Sequence, residues 1–300
     1  MLKYGSDKPD LRNPLLIEDL TAILSKSTFE PFKTLNIRGI KVDNIDKSNS
    51  WYKKIEEYIK SLGATGMSYI KVNEDMTFKS SIDKFLTDDL RKELIEKCHL
   101  NKGNALFILA DNKHKIDKLA GLLRTKLGNE LDLINKNKFE FCIINDFPMY
   151  EYNEEENTWD FGHNPFSMPK GGIEALTKEN MENVVAHQFD FVCNGYEMAS
   201  GAVRNHNIEI MKKAFELAGY TEEDVENKFR SLYTAFQYGA PPHAGMAPGI
   251  DRILMLLQDE ENIREMVAFP LGANGSDQMM GCPNEVFEKQ LRETHIKIRD

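Results

Sequence analysis

The sequence has no long hydrophobic run. Its most apolar stretches, residues 105–110 and 253–257, fall far short of the roughly 20 residues that a bilayer-spanning helix needs. Its first eight residues carry no apolar signal-peptide core. Glycine and proline are few, 19 and 11 of 300 residues, which excludes collagen-like and low-complexity architectures. Cysteine is scarce: Cys98, Cys142, Cys193 and Cys282 are scattered with no C-x-x-C or zinc-knuckle spacing, and read as buried, reduced thiols. There is no G-x-G-x-x-G after a strand and no G-x-x-x-x-G-K-S/T, so neither a Rossmann nor a P-loop nucleotide site is expected. Positive charge is also in deficit, with 38 Lys and Arg against 48 Asp and Glu and a net charge of −10. Non-specific DNA binding needs clustered cations and is not expected, whereas a local basic patch for RNA stays open. The expectation is a soluble cytoplasmic chain with no membrane and no DNA partner.

What is present suffices for a sizeable core: 41% hydrophobic and 29% charged residues over a length that suits one large domain or two ordinary ones. Residues 17–24 have helical spacing, and 34–42 alternate like a half-buried strand. Ser50 is placed to cap a helix over 51–62 that ends at Gly63. Residues 68–72 read as a strand, 87–98 as a helix with Asp88 and Asp89 at its positive end, and 105–110 as a buried strand. A helix over 113–127, closed by Gly128, completes a self-contained α+β module over 16–127, preceded by a polar, proline-punctuated segment over 1–15. Beyond it, 139–147 reads as a strand joined through the acidic turn Glu154-Glu155-Glu156-Asn157 to Trp159 and Phe161 as a hairpin. Strands at 189–193 and 196–203 break at Asn194-Gly195, helices follow at 207–217, 222–226 and 229–236, and 244–248 leads into a helix over 250–257. Antiparallel strands with segregated helices make the fold class α+β.

Three constellations can carry chemistry. In Gly245-Met246-Ala247-Pro248-Gly249-Ile250-Asp251-Arg252, small residues lead into a helix whose first turn holds Arg252. A helix N-terminus with an arginine fork suits an anion, with Gly249 allowing close approach; the plainer reading is a buried Asp–Arg pair. Asp190 and Glu197 flank Asn194-Gly195, with Arg204 downstream. Residues seven apart on a regular strand face opposite ways, so a bulge at Asn194-Gly195 is expected to aim both carboxylates into one cleft, where they suit nucleotide-bound Mg²⁺. Arg204 joins that face only through a second irregularity, with Gly201 as the candidate; the plainer reading is a solvated sheet edge. Third, Phe161-Gly162-His163-Asn164-Pro165-Phe166 is a shaped loop in which His163 can meet a carboxylate or serve the loop alone.

Taken together, Tyr4-Gly5-Ser6-Asp7-Lys8-Pro9-Asp10-Leu11-Arg12, His163-Asn164-Pro165-Phe166, Asn194-Gly195-Tyr196-Glu197 and Gly249-Ile250-Asp251-Arg252 closely resemble, in order and over essentially the whole chain, the bacterial-type aspartyl-tRNA synthetases. The resemblance implies a partial class II antiparallel-sheet catalytic core formed by 1–15 and 128–300, with residues 245–257 as its third signature motif. Residues 16–127 look like the inserted GAD domain, which that family shares with an amidotransferase subunit acting on aminoacyl-tRNA. It further implies that ATP is bound by Glu197, Gly249, Ile250, Asp251 and Arg252, and Mg²⁺ by Asp190 and Glu197. L-aspartate falls to His163 and Arg204, and Arg252 and Glu197 carry the catalytic roles.

The implied partners are L-aspartate and tRNA(Asp), with tRNA(Asn) as an open second substrate, and a homodimer in the complete enzyme. The family's F-R-x-E strand of motif two is not found, since Phe229-Arg230-Ser231-Leu232 lacks the acid. Its anticodon-binding barrel and first motif are missing as well. The chain is therefore expected to be a C-terminal fragment, inactive alone, with Arg38 and Arg230 the first substitutes to examine. The rival readings are a non-catalytic tRNA- or protein-binding module and an asparagine-forming paralogue.

Overall fold

Apolar residues on both faces of two central strands organise the first 130 residues. A computed structural model describes residues 1–153 and 155–299. Its first region runs β1 (Ile17–Asp19), α1 (Thr21–Leu24), α2 (Pro31–Thr34), β2 (Asn36–Val42), α3 (Asn49–Ser61), β3 (Met67–Val72), β4 (Phe78–Lys79), α4 (Asp88–Cys98), β5 (Ala105–Asp111) and α5 (Lys113–Glu130). The strands form one antiparallel sheet in the order β1-β2-β5-β3-β4. Because side chains alternate along a strand, Ile40, Val42, Phe107 and Leu109 pack against Tyr52, Ile55 and Ile59 of α3 and Ile116 and Leu123 of α5. Ile37, Leu106 and Ile108 turn the other way, onto Leu24 and onto Leu90 and Leu94 of α4.

Local expectations hold where one segment decides its own conformation, and shift where another segment intervenes. The helix expected over 87–98 forms as α4, with Thr87 outside it as the residue whose hydroxyl caps its start. Residues 17–24 are not a helix throughout: Ile17 pairs with Ile40 as β1, and only Thr21–Leu24 turn helical. Ser48, not Ser50, caps α3 by accepting from the Trp51 N–H. Gly128 does not close α5 but lies inside it, where a Cβ would stand 2.3 Å from the Asn13 amide nitrogen. Arg38 is committed to the scaffold, 6% exposed and bonded to Asp117 at 2.7 Å and Asp19 at 3.0 Å.

The later region comprises β6 (Phe141–Pro148), β7 (Tyr150–Asn153), β8 (Thr158–Phe161), β9 (Val185–Cys193), β10 (Tyr196–Val203), α6 (Ile208–Leu217), α7 (Glu222–Gln237) and β11 (Ala244–Pro248). Its sheet order is β11-β10-β9-β6, with β9 antiparallel to both β10 and β6. The acidic hairpin is built from β7 and β8, with β6 in the sheet instead; Glu154 of its turn lies outside the described residues. The two helices expected over 222–236 run together as α7 but are separated by non-helical backbone at Phe229 (φ −126°, ψ 28°), whose ring packs edge-on to Phe166. The observed class is α+β: helices with antiparallel sheet.

The chain divides into two compact units, Met1–Met246 and Ala247–Asp300. The second holds α8 (Ile250–Leu257) and α9 (Glu288–Glu293). Among the described residues no helix is long and apolar enough to cross a membrane. All four cysteines are free, but only Cys98 and Cys193 are buried, with Cys142 half-buried and Cys282 exposed. Burial pushes the Cys98 thiol up to about 12, so it stays protonated at neutral pH.

Candidate active site

Asn194 and Gly195 form the two-residue turn between β9 and β10, with φ of 51° and 89°. Both angles are left-handed, which explains an Asn-Gly pair at this turn. The Asn194 side chain also accepts from the Glu140 N–H at 2.9 Å and donates to the Lys138 carbonyl at 3.0 Å. The turn pairs Cys193 with Tyr196 and Val192 with Glu197. Paired residues share a face, and so do residues two apart. Glu197 therefore shares the face of Val192 and Asp190, and the hairpin alone phases the two carboxylates.

The expected bulge at Asn194-Gly195 is thus not there. The irregularity lies between Glu197 and Ala199, after which Ala199 pairs with Phe191 and Ser200 with Asp190. This extra residue returns Ser200 to the Asp190 face, and alternation through Ala202 carries Arg204 onto it. Gly201, the expected second irregularity, pairs regularly with Phe189. It is glycine for room: a Cβ would stand 2.5 Å from the Phe189 ring and 2.7 Å from the Gly245 carbonyl.

The N-terminal segment supplies a cation to which the sequence pattern assigns no role. Lys8 Nζ stands 3.5 Å from Asp190 Oδ2, 3.4 Å from Glu197 Oε2 and 2.5 Å from Asp7 Oδ2. Its backbone is held in place. Gly5, at φ +66°, abuts Gly121 of α5 so closely that a Cβ on it would lie 2.4 Å from the Gly121 nitrogen. Arg124 of α5 donates to the carbonyls of Leu15 and Asn13 at 2.6 Å each and of Asp10 at 3.0 Å. Burial lowers the Lys8 pKa, but the Asp7 hydrogen bond and the charges of Asp7, Asp190 and Glu197 outweigh it and raise the net value. Burial likewise raises Asp7, yet Lys8 prevails and holds that carboxyl below its ordinary range, with a smaller contribution from His163. The only sequence signal for Lys8 is its place between two acids in the proline-fixed run Asp7-Lys8-Pro9-Asp10.

The remaining candidates fall in two groups. His163 is exposed in the loop after β8, its ring edge-on to Phe147 at 4.8 Å. The half-buried Arg204 holds its guanidinium 5.8 Å from the centre of the Phe166 ring, and no carboxylate among the described residues lies within ion-pair distance of it. Beside it, Ser167 Oγ and both amide atoms of Asn205 are buried without a hydrogen-bond partner. Gly249, Ile250, Asp251 and Arg252 belong to the second unit. There Gly249 precedes α8 at an ordinary φ of −86°, and Arg252 is half-buried in the first turn of the helix.

Asp190 is 4% exposed and its Oδ1 is buried with no hydrogen-bond partner. An orphaned carboxylate oxygen beside a second carboxylate is a hard donor pair. Among the described residues no group of three or more His, Cys, Asp or Glu is placed to hold a metal. Two carboxylates without further protein ligands suit Mg²⁺, which keeps waters and takes its other oxygens from substrate phosphates. The donor set fits that ion.

The family described as tRNA synthetases class II (D, K and N) matches residues 1–273. The aspartate–tRNA(Asp/Asn) ligase of Ehrlichia chaffeensis is 47% identical over 304 residues, 99% of this chain and 52% of that protein. The ligase of the same name from Rickettsia bellii is 48% identical over 308 residues, 99% of this chain and 51% of that protein. The chain thus spans about half the length of the curated relatives it matches. Among solved structures, an aspartyl tRNA synthetase from Entamoeba histolytica overlaps 79% of this chain and 43% of its own, at 18% identity and a TM-score of 0.34.

Proposed function

We propose that this chain, which belongs to the class II tRNA synthetases (D, K and N), contributes the outer-phosphate and amino-acid half of a site that activates L-aspartate with ATP and passes it to tRNA. The observation that carries the proposal is the common face of Asp190, Glu197 and Arg204, produced by the Asn194-Gly195 hairpin and the bulge beyond Glu197. Arg204 grips the side-chain carboxylate of aspartate with its planar fork. A neutral amide leaves such a fork badly paired, so asparagine is rejected. His163 closes over the amino acid. Asp190 and Glu197 hold Mg²⁺, which when bound neutralises charge on phosphate oxygens. Arg252 holds the γ-phosphate, with Gly249, Ile250 and Asp251 as the nucleotide-facing start of the helix. The aspartate α-carboxylate attacks the α-phosphorus and pyrophosphate leaves; a 3′-terminal ribose hydroxyl of the tRNA then attacks the carbonyl of the aspartyl-adenylate, forming the ester as AMP leaves. These side chains bind and orient the reactants.

No F-R-x-E strand occurs in these residues to hold the α-phosphate, and the guanidinium of Arg38 is already paired. Alone, the chain is proposed to bind Mg-ATP weakly and to form no aspartyl-adenylate. The relatives' names support tRNA(Asp) and tRNA(Asn) as acceptors. A homodimer, a cytoplasmic location and an inserted domain over 16–127 complete the proposal. The test is aspartate-dependent ATP–pyrophosphate exchange. The chain alone should give none, and fusing it behind the N-terminal half of the Ehrlichia relative should restore exchange that Arg204→Lys or Glu197→Gln abolishes. Exchange restored equally in those two variants overturns the assignment.

A further inference from the structure

We propose that Lys8 is a displaceable counter-ion of the Asp190–Glu197 pair, holding the divalent-cation site closed until metal enters together with nucleotide phosphates. The inference rests on the reading of that pair as the metal site. Three observations carry it.

First, the Lys8 ammonium stands at 3.5 Å from Asp190 and 3.4 Å from Glu197, in the space that a cation shared by those carboxylates would take. Two like charges this close repel strongly, and an intervening cation keeps both ionised. Second, these are its looser contacts. Its hydrogen bond goes to Asp7 at 2.5 Å, so Asp7 can retain the ammonium when the pair is given up. The Lys8 side chain is 32% exposed on a flexible stem, whereas its backbone is fixed, its own N–H bonding Ser6 Oγ at 2.9 Å and the segment being clamped by Arg124. The side chain can swing without moving the loop. Third, Asp190 Oδ1 is buried and unpartnered even with Lys8 in place. A single ammonium leaves this oxygen unsatisfied, and a buried acceptor without a partner is costly. A divalent ion arriving with phosphate and water oxygens satisfies it and carries twice the charge.

A bare divalent ion must expel Lys8 unaided. One carried by a triphosphate brings negative oxygens to which the released ammonium can turn. Lys8 therefore acts through the metal ligands, as a positioning residue that couples metal entry to nucleotide.

The test is Mn²⁺ binding to the full chain at neutral pH without nucleotide, followed by electron paramagnetic resonance, taking as site-specific only the binding lost in Glu197→Gln. Lys8→Met keeps the stem and removes the charge. Its Glu197-dependent Mn²⁺ affinity should rise roughly tenfold or more, as expected from removing a competing unit charge in a partly exposed cleft. Lys8→Arg retains a cation and should keep affinity near wild type, which separates charge from packing. Equal affinity in wild type and Lys8→Met, both Glu197-dependent, overturns the counter-ion role and leaves the metal site standing. If neither protein shows Glu197-dependent binding, the metal reading itself is overturned and the role of Lys8 falls with it. Weaker binding in Lys8→Met with an unchanged circular dichroism spectrum also overturns the proposal.

Discussion

The five-stranded region and the four-stranded sheet differ in how fully each satisfies itself. In the first, β2 and β5 are buried on both faces between helices, and among the described residues only the Tyr52 hydroxyl is a buried side-chain polar atom without a partner. In the second, β6 is an edge strand exposing Phe141 at 55% and Ile143 at 65%, and the other orphaned polar atoms, on Ser167, Asp190 and Asn205, all lie in this later region. Buried polar groups in folded proteins are nearly always paired, so their concentration in one region marks where the fold leaves capacity for something else. The first region is a closed scaffold. The second holds donors and acceptors uncommitted.

The comparison breaks outright if the first region cannot stand alone. A piece covering 13–130 keeps both layers of its core and two of the carbonyls bound by Arg124, and is expected to unfold in a single cooperative transition by circular dichroism. A featureless melt would show that the later region stabilises it.

Matched truncations sharpen the contrast. Leu94 is fully buried in the first region, so Leu94→Ala should cost about 2–5 kcal/mol in urea unfolding. Ile143→Ala, at a side chain that is mostly exposed, should stay within about 0.5 kcal/mol. Equal losses would mean that β6 is covered in solution.

The clamp that α5 places on the N-terminal segment comes next. Arg124→Met deprives three backbone carbonyls of a charged donor, and should cost about 2–3 kcal/mol. Burial lowers the Arg124 pKa, so part of the interaction energy is already offset by desolvation. A loss below about 0.5 kcal/mol would show that water replaces these bonds at no cost.

The smallest effect is electrostatic. Asp7 is depressed below its ordinary 3.8, so its stabilisation is complete above that value and disappears as pH falls through the depressed one. Lys8 is raised above its ordinary 10.5, so its share is complete below that value and disappears as pH rises through the raised one. Solvent screening of these partly exposed groups should hold the total below about 1 kcal/mol. The stability difference between wild type and Asp7→Asn is expected to be flat between these limits and to shrink beyond either. A difference that changes with pH inside this window would overturn the assignment to the Asp7–Lys8 pair.

Much of the scaffold is legible in the amino-acid sequence. The helix with Asp88 and Asp89 in its first turn, the buried run at 105–110 and the Asn194-Gly195 break each depend on residues within a few positions of one another. The site residues are legible as types in motifs, but their geometry is not. Period-two reasoning along one continuous strand asks for a bulge at Asn194-Gly195. The true phase comes from pairing across the hairpin, which a linear count cannot see. Lys8 escapes such reasoning because its two longer-range partners lie more than 180 residues away. Gly128 misleads for the same reason, since a helix-ending glycine and one making room for Asn13 look alike in sequence.

The sequence by itself determined the α+β class, most strands and helices of the first region, and the set of residues that mark this family. The first two follow from local sterics and apolar periodicity, which act between near neighbours in the chain; the third is read from the resemblance of its motifs. Only the tertiary structure decided which carboxylates share a face, where the bulge falls and which cation stands between Asp190 and Glu197. Those depend on pairing register and on packing between segments far apart in sequence. There a shift of one residue reverses the face of every side chain that follows, and no local pattern records it.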